Sequence, residues 1–248
     1  MNKLVHTISA CLLGIIILSC TAQNQSDSDE INILVFSKTG GFRHKNINEG
    51  IASLREISNQ NGWKLIASEN AGFFTSDSLN EIDVVIFLNT TGDILAGDQE
   101  EAFERYIRNG GGFVGIHAAA DTEYEWPFYQ EMICAQFASH PKTQEARLVV
   151  KQDSKHPSIG HLDDEWIVTD EWYYFKEPLK AHAKILIELD ESTITGKEPT
   201  GQVHPITWSH EEFGGRVIYT GIGHTKAQFS NPVYLEHLTR SINWAAGN

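Results

Sequence analysis

The chain has 248 residues, 41% of them hydrophobic, enough to bury a sizeable core as one large domain or two small ones. Lysine and arginine number 19 against 33 aspartates and glutamates, giving a formal net charge of −14. That balance excludes nucleic acid and anionic membrane surfaces as partners, because both are gripped by basic patches.

Residues 1–19 carry Lys3 and then an apolar run from Leu12 to Leu18. The run is too short to span a bilayer and has the form of a secretory signal. It ends in Ile17-Leu18-Ser19-Cys20, which resembles a bacterial lipobox, where Cys20 becomes the acylated first residue. The alternative is an ordinary signal peptide with a coincidental cysteine. Residues 20–30 are polar, without apolar periodicity, and are expected to form a tether ahead of a domain at 31–248. The expected location is the cell envelope, on the periplasmic or outer face, with the lipid as the only membrane contact. Removing residues 1–19 takes away Lys3 and no acid, so the charge becomes −15. Cys11 is then lost and Cys20 lipidated, which leaves Cys134 without a disulfide partner in its own chain.

Ile31 to Phe36 is a continuous Ile/Val-rich run, as in a strand buried on both faces. After a glycine-containing loop, Asn46 and Glu49 have capping-box spacing, and Ile47, Ile51, Leu54 and Ile57 recur at helical intervals up to Asn61-Gly62. Trp63 to Ala67 and Val84 to Leu88 are the next strands. Asp98 with Glu101 predicts a second capped helix, whose stripe is Ala102, Phe103, Tyr106 and Ile107 before Gly110 stops it. Phe113 to Ile116 is a fourth strand running into His117. Beyond it Ala146 to Val150, Lys184 to Leu189, Pro205 to Ser209 and Arg216 to Thr220 have strand character, several of them antiparallel candidates. Asn231-Pro232 opens a last helix with Leu235, Leu238 and Ile242 on one face. Alternating buried strands and helices predict an α/β fold, an open and mostly parallel sheet flanked by helices.

In such sheets ligands bind beyond the carboxyl ends of the strands. Loops at those ends carry Arg43-His44, Asn89 to Asp93, His117 to Asp121 and Gly221 to Thr225. The shared position of His44, His117 and His224 at strand ends is not a product of helix or strand periodicity and marks them, with Asp121, as candidates for proton transfer. Arg43 is expected to face the same pocket. Asp170-Glu171-Trp172-Tyr173 places two acids beside aromatic rings, a combination suited to sugars, in which Asp170, Glu171 and Tyr173 contact substrate; the alternative is a charged turn followed by core aromatics. Ile206, Trp208 and His210 fall on one strand face, which makes Trp208 and His210 further binding candidates, with His210 either joining the pocket or simply ending an exposed strand. His156, His161, His182 and His237 are read as structural, and Trp126, Trp244 and Cys134 as core.

At Phe42-Arg43-His44, Gly111 to Asp121, Asp170 to Tyr173 and Gly215 to Thr225 the chain resembles the trehalose-utilisation (ThuA-like) family, over about Asn32 to Ala246. Tyr174 stands where that family usually has asparagine. The resemblance implies a class I glutamine amidotransferase-like, flavodoxin-like fold. It does not carry glutaminase chemistry with it, because the turn Gly115-Ile116-His117-Ala118-Ala119 lacks the thiol such enzymes need. It implies instead a carbohydrate substrate: a 3-keto glycoside produced by a partner oxidoreductase. Removing the acidic proton beside the ketone calls for a general base, with His117 the first candidate, and for a group such as Arg43 that stabilises the enediolate. The expectation is isomerisation or elimination-type cleavage without a cofactor. Two alternatives stand beside it. One is a metal-dependent hydrolase, with zinc or another divalent ion held among His44, His117, His224, Asp121 and Asp170. The other is a sugar-binding lipoprotein without turnover.

Overall fold

A computed structural model describes residues 30–197 and 200–248. The signal segment, Cys20 and all of the tether but Glu30 lie outside the described residues. In chain order the elements are β1 (Asn32–Phe36), α1 (Ile47–Asn61), β2 (Lys64–Ser68), the single turn α2 (Ser76–Leu79), β3 (Val84–Leu88), α3 (Asp98–Arg108) and β4 (Gly112–Ile116). There follow α4 (Pro127–Ile133), β5 (Phe137–Ser139), β6 (Gln144–Val150), β7 (Glu165–Asp170), β8 (Tyr174–Phe175), β9 (Lys184–Leu189), β10 (Pro205–His210), β11 (Val217–Thr220) and α5 (Pro232–Ala245).

Nine strands form one sheet in the order β2-β1-β3-β4-β11-β10-β9-β6-β7. From β2 to β11 every pairing is parallel, and from β11 to β7 every pairing is antiparallel. The alternation makes β7 run in the same sense as β4 and β11, so its last residue, Asp170, ends at the edge where the parallel strands also end. β5 and β8 pair separately.

The period of two in β1 divides the core. Ile33 and Val35 join Leu54 and Ile57 of α1 and Leu238 and Ile242 of α5, while Leu34 and Phe36 join Phe103 of α3 and Tyr129 of α4 on the opposite face. On that second face Phe87 stacks on Phe103 with ring centres 5.4 Å apart, a pairing worth roughly 1 kcal/mol beyond the area it buries. Burial on both faces is why the parallel strands read as unbroken apolar runs.

Two predicted caps take other forms. Gly97 with φ +52, not Asp98, precedes α3, so Asp98, Glu100 and Glu101 all lie in the first turn, where they complement the helix dipole. Asn46 precedes α1 but its side chain makes no cap. Its amide donates instead to the carbonyls of Gly223 and His224, both at 2.7 Å, and its oxygen accepts from Asn89 at 3.0 Å. The residue ties the β1, β3 and β11 loops together. Asn231 caps α5 as the sequence predicts, accepting from the Val233 amide.

Candidate active site

β4 ends in a sharp turn: His117 takes a left-handed φ of +48 that only a few per cent of non-glycine residues adopt, and Asn89 at the end of β3 does the same with φ +51. The turn sends the His117 side chain into the space between the β1 and β11 loops. The rings of His44 and His224 lie 5.1 and 5.2 Å from its own, and 5.3 Å from each other. The three histidines expected from separate strand ends thus converge.

Glu171 enters from the end of β7. Its Oε2 lies 3.2 Å from His224 Nδ1 and 3.5 Å from His117 Nε2, and His224 Nδ1 is 3.3 Å from His117 Nε2. Its other oxygen, Oε1, accepts from His140 Nδ1 at 2.9 Å. Among the described residues, His44, His117, Glu171 and His224 form a group whose ligand-type atoms all lie within 4.8 Å of one another.

Hydrogen bonding fixes the tautomers. His117 Nδ1 is 2.8 Å from the Gly221 carbonyl, which only accepts, so Nδ1 carries the proton and Nε2 a lone pair. His140 Nδ1 meets the Pro141 carbonyl at 2.8 Å as well as Glu171, so its lone pair is on Nε2. The His117 side chain is fully buried, whereas His224 is 28% and His140 40% exposed. Access from solvent therefore runs over His224 and His140.

Burial, reinforced by the neighbouring His117 and His224, lowers the pKa of His44 to about 3, so its ring is neutral. Burial also opposes charge on Glu171, but its contacts with the His117 and His224 imidazoles outweigh it and bring the carboxyl down to about 2. His224 is raised: desolvation works against its charged form, and the hydrogen bond and charge of Glu171, with Asp170 behind, overcome it. The site is a carboxylate enclosed by imidazoles.

Asp170 does not reach the rings. It is fully buried, with Oδ1 accepting from the amides of Glu171 at 2.9 Å, His224 at 3.0 Å and Thr225 at 3.2 Å, and Oδ2 accepting from Gly223 at 2.8 Å. It fastens β7 to the β11 loop and so sets Glu171 against His224. Tyr173 supports the site from below, its ring 4.2 Å from that of His117.

Four expected contacts are not made. Arg43 forms a two-pronged ion pair with Glu69, at 2.7 and 3.2 Å, which draws its guanidinium toward the end of the outer strand β2. Asp121 accepts from the Tyr124 hydroxyl instead of orienting an imidazole. Trp208 is fully buried, stacked on Tyr219 and donating to the Ile133 carbonyl at 2.9 Å. His210 pairs opposite Val217, the first residue of β11; β10 runs antiparallel, so it ends at the far edge of the sheet, where His210 packs against His182 and Phe213. A period-two count gives a face of a strand but not its direction, and direction decides which edge a terminal residue reaches.

His140 is the residue the sequence reading missed. It follows β5, a three-residue strand with no periodic signature, and only the ladder with β8 brings it beside Glu171. Cys134 is buried at the left-handed end of α4, its thiol pKa pushed up by burial, as a core residue would be. Cys134→Ser is expected to leave sugar-directed activity within about tenfold of wild type while lowering stability by about 1 kcal/mol, read from turnover and urea unfolding. Inactivation of a folded variant would contradict this.

An open sheet with a parallel centre, helices on both faces and polar loops gathered at the carboxyl edge is the glutamine amidotransferase-like α/β architecture. A family model described as trehalose utilisation, ThuA, matches residues 32–245. The chain belongs to that family. Among solved structures it is similar to a ThuA-like protein from Bacteroides uniformis, with 21% identity, a TM-score of 0.76, and coverage of 90% of this chain and 94% of that one. A ThuA-like protein from Parabacteroides merdae is similar at 20% identity and a TM-score of 0.72, covering 88% and 90%. A GMP synthase subunit from Thermoplasma acidophilum, at 15% identity and a TM-score of 0.51 over 88% and 94%, shares the fold. No curated protein sequence matches the chain.

Proposed function

We propose that this protein acts on an oxidised sugar, a 3-keto glycoside supplied by a partner oxidoreductase, by moving the acidic proton beside the ketone. The observation that carries the reading is His140 and His224 standing on opposite oxygens of one buried carboxylate at the carboxyl edge of the sheet. His140 is the proton acceptor: Glu171 and the Pro141 carbonyl hold its Nδ1–H, and its basic Nε2 belongs to a partly exposed ring. The C–H electron pair moves into the carbon framework, the ketone oxygen becomes the enediolate oxygen, and an N–H of His224 stabilises it. Return of that proton to the former ketone carbon, with the C2 hydroxyl proton passing to the former ketone oxygen, gives the 2-keto isomer. Alternatively the enediolate collapses to the ketone, a C1–C2 double bond forms, and the glycosidic oxygen leaves C1 with the proton taken up by His140, which is elimination. His117, fully buried, positions His224 and Glu171. Phe42, exposed and with its ring 4.9 Å from that of His44, offers an apolar face for the C–H side of a sugar.

The lipobox-like motif at Ile17 to Cys20 supports placing this activity in the cell envelope. The test is incubation of purified protein with a 3-keto disaccharide, followed by NMR. Loss of the substrate resonances and growth of isomer or cleavage products is expected. Saturable shifts without conversion would leave only the sugar-binding alternative.

A further inference from the structure

We propose that His117 Nε2, His224 Nδ1 and Glu171 Oε2, with His44 alongside, bind one divalent transition-metal ion of the zinc class. The three atoms form a nearly equilateral triangle with sides of 3.2, 3.3 and 3.5 Å. Nitrogen and oxygen ligands about 2.0–2.1 Å from a tetrahedral zinc ion stand roughly 3.3–3.4 Å from one another, so the triangle already has the dimensions of one face of such a site.

Proton accounting points the same way. His117 has committed its proton to Gly221, so Nε2 presents a lone pair, and Glu171 Oε2 presents another. A single N–H on His224 cannot fully satisfy both. A cation at the centre of the triangle satisfies all three ligand atoms. His44 lies against this triangle with a buried Nδ1 that has no hydrogen-bond partner among the described residues.

The outer contacts are those of a metal centre. His117 donates its remote Nδ1–H to a backbone carbonyl, and the remote oxygen of Glu171 accepts from His140, which fixes the orientation of both ligands. Imidazoles with one carboxylate suit zinc and its neighbours better than magnesium or calcium, which prefer all-oxygen shells. The other two groupings with ligand-type atoms lack these features. His210 has both nitrogens engaged, with the Met132 carbonyl and the Glu212 amide, and Glu123 accepts from the Ile94 and Leu95 amides.

The inference stands apart from the choice of substrate, and its test needs none. The full chain is stripped with a chelator and titrated calorimetrically with Zn²⁺, then with Co²⁺ while the visible spectrum is recorded. One equivalent per chain is expected, with the strong visible bands of low-coordinate cobalt. His224→Ala and the nearly isosteric Glu171→Gln should each weaken binding at least about a hundredfold, while His182→Ala leaves it unchanged. Circular dichroism confirms the folds, and Glu171→Gln decides if His224→Ala misfolds. Absence of stoichiometric binding by the wild-type chain, or equal binding by Glu171→Gln, would overturn the proposal. NMR turnover by stripped and loaded protein separates the two readings: binding without turnover counts against the keto-sugar function alone, and turnover without binding counts against the metal site alone.

Discussion

Asp170→Ala is expected to destabilise the protein by about 4 kcal/mol or more and to abolish the site with it. Two buried carboxylate oxygens satisfy four backbone amides, those of Glu171, Gly223, His224 and Thr225. A buried donor left without a partner costs roughly 1–3 kcal/mol, and the alanine strands up to four of them. The same bonds join the end of β7 to the β11 loop, so their loss also frees Glu171 from His224. Burial raises the pKa of Asp170 while the amides favour its charged form. Asp170→Asn keeps one acceptor oxygen but turns an NH₂ toward donors, so an intermediate loss is expected. Urea unfolding of the three proteins measures the series. A cost below about 1 kcal/mol for the alanine would show that Asp170 does not hold the two segments together.

Acidification is expected to weaken the fold steeply well before ordinary carboxylates titrate. Burial lowers His156, His210 and His237 from 6.5 to about 4, and His44 to about 3. Between those values the unfolded chain binds protons that the folded one refuses, so stability is lost as pH falls from 6.5 toward 4. Each such histidine contributes up to about 1.4 kcal/mol per pH unit. Glu123 works in the opposite sense. Burial raises it to about 7, so the folded state holds its proton where the unfolded chain, with a pKa of 4.5, has released it. Four protons against one leave a slope of roughly 3–4 kcal/mol per pH unit near pH 5.5. Urea midpoints between pH 7 and 4.5 measure it, and His237→Asn should flatten the slope by roughly a third. A flat profile from pH 7 to 5 would mean that these rings take up protons in the folded state.

The parallel half of the molecule was legible because burial on both faces writes itself into unbroken runs such as Val84 to Leu88. The strand ends followed, and with them His44, His117 and His224. The antiparallel half was not legible to the same degree. β7 reads Glu-Trp-Ile-Val-Thr-Asp, where an outward-facing Ile167 hides the alternation that buries Trp166, Val168 and Asp170. Without the direction of that strand, Asp170 and Glu171 could be recognised as a polar pair but not divided into the one that fastens loops and the one that touches imidazoles. Trp208 and His210 were misplaced for the same reason. Asn46 has the sequence signature of a cap, but tertiary contacts with Gly223, His224 and Asn89 claim its side chain, a competition that local sequence cannot register.

The most direct test of the account is hydrogen exchange at the carbon beside the ketone. A 3-keto disaccharide is incubated in D₂O with wild-type protein, His140→Ala and His117→Ala, and deuterium incorporation at C2 is followed by NMR together with product formation. The account predicts that wild-type protein incorporates deuterium or converts the sugar well above the protein-free rate. It predicts that each variant, folded by circular dichroism, is slower by about a hundredfold or more. Exchange and conversion at the protein-free rate with wild-type protein, or at undiminished rates in both variants, would contradict proton transfer at this site.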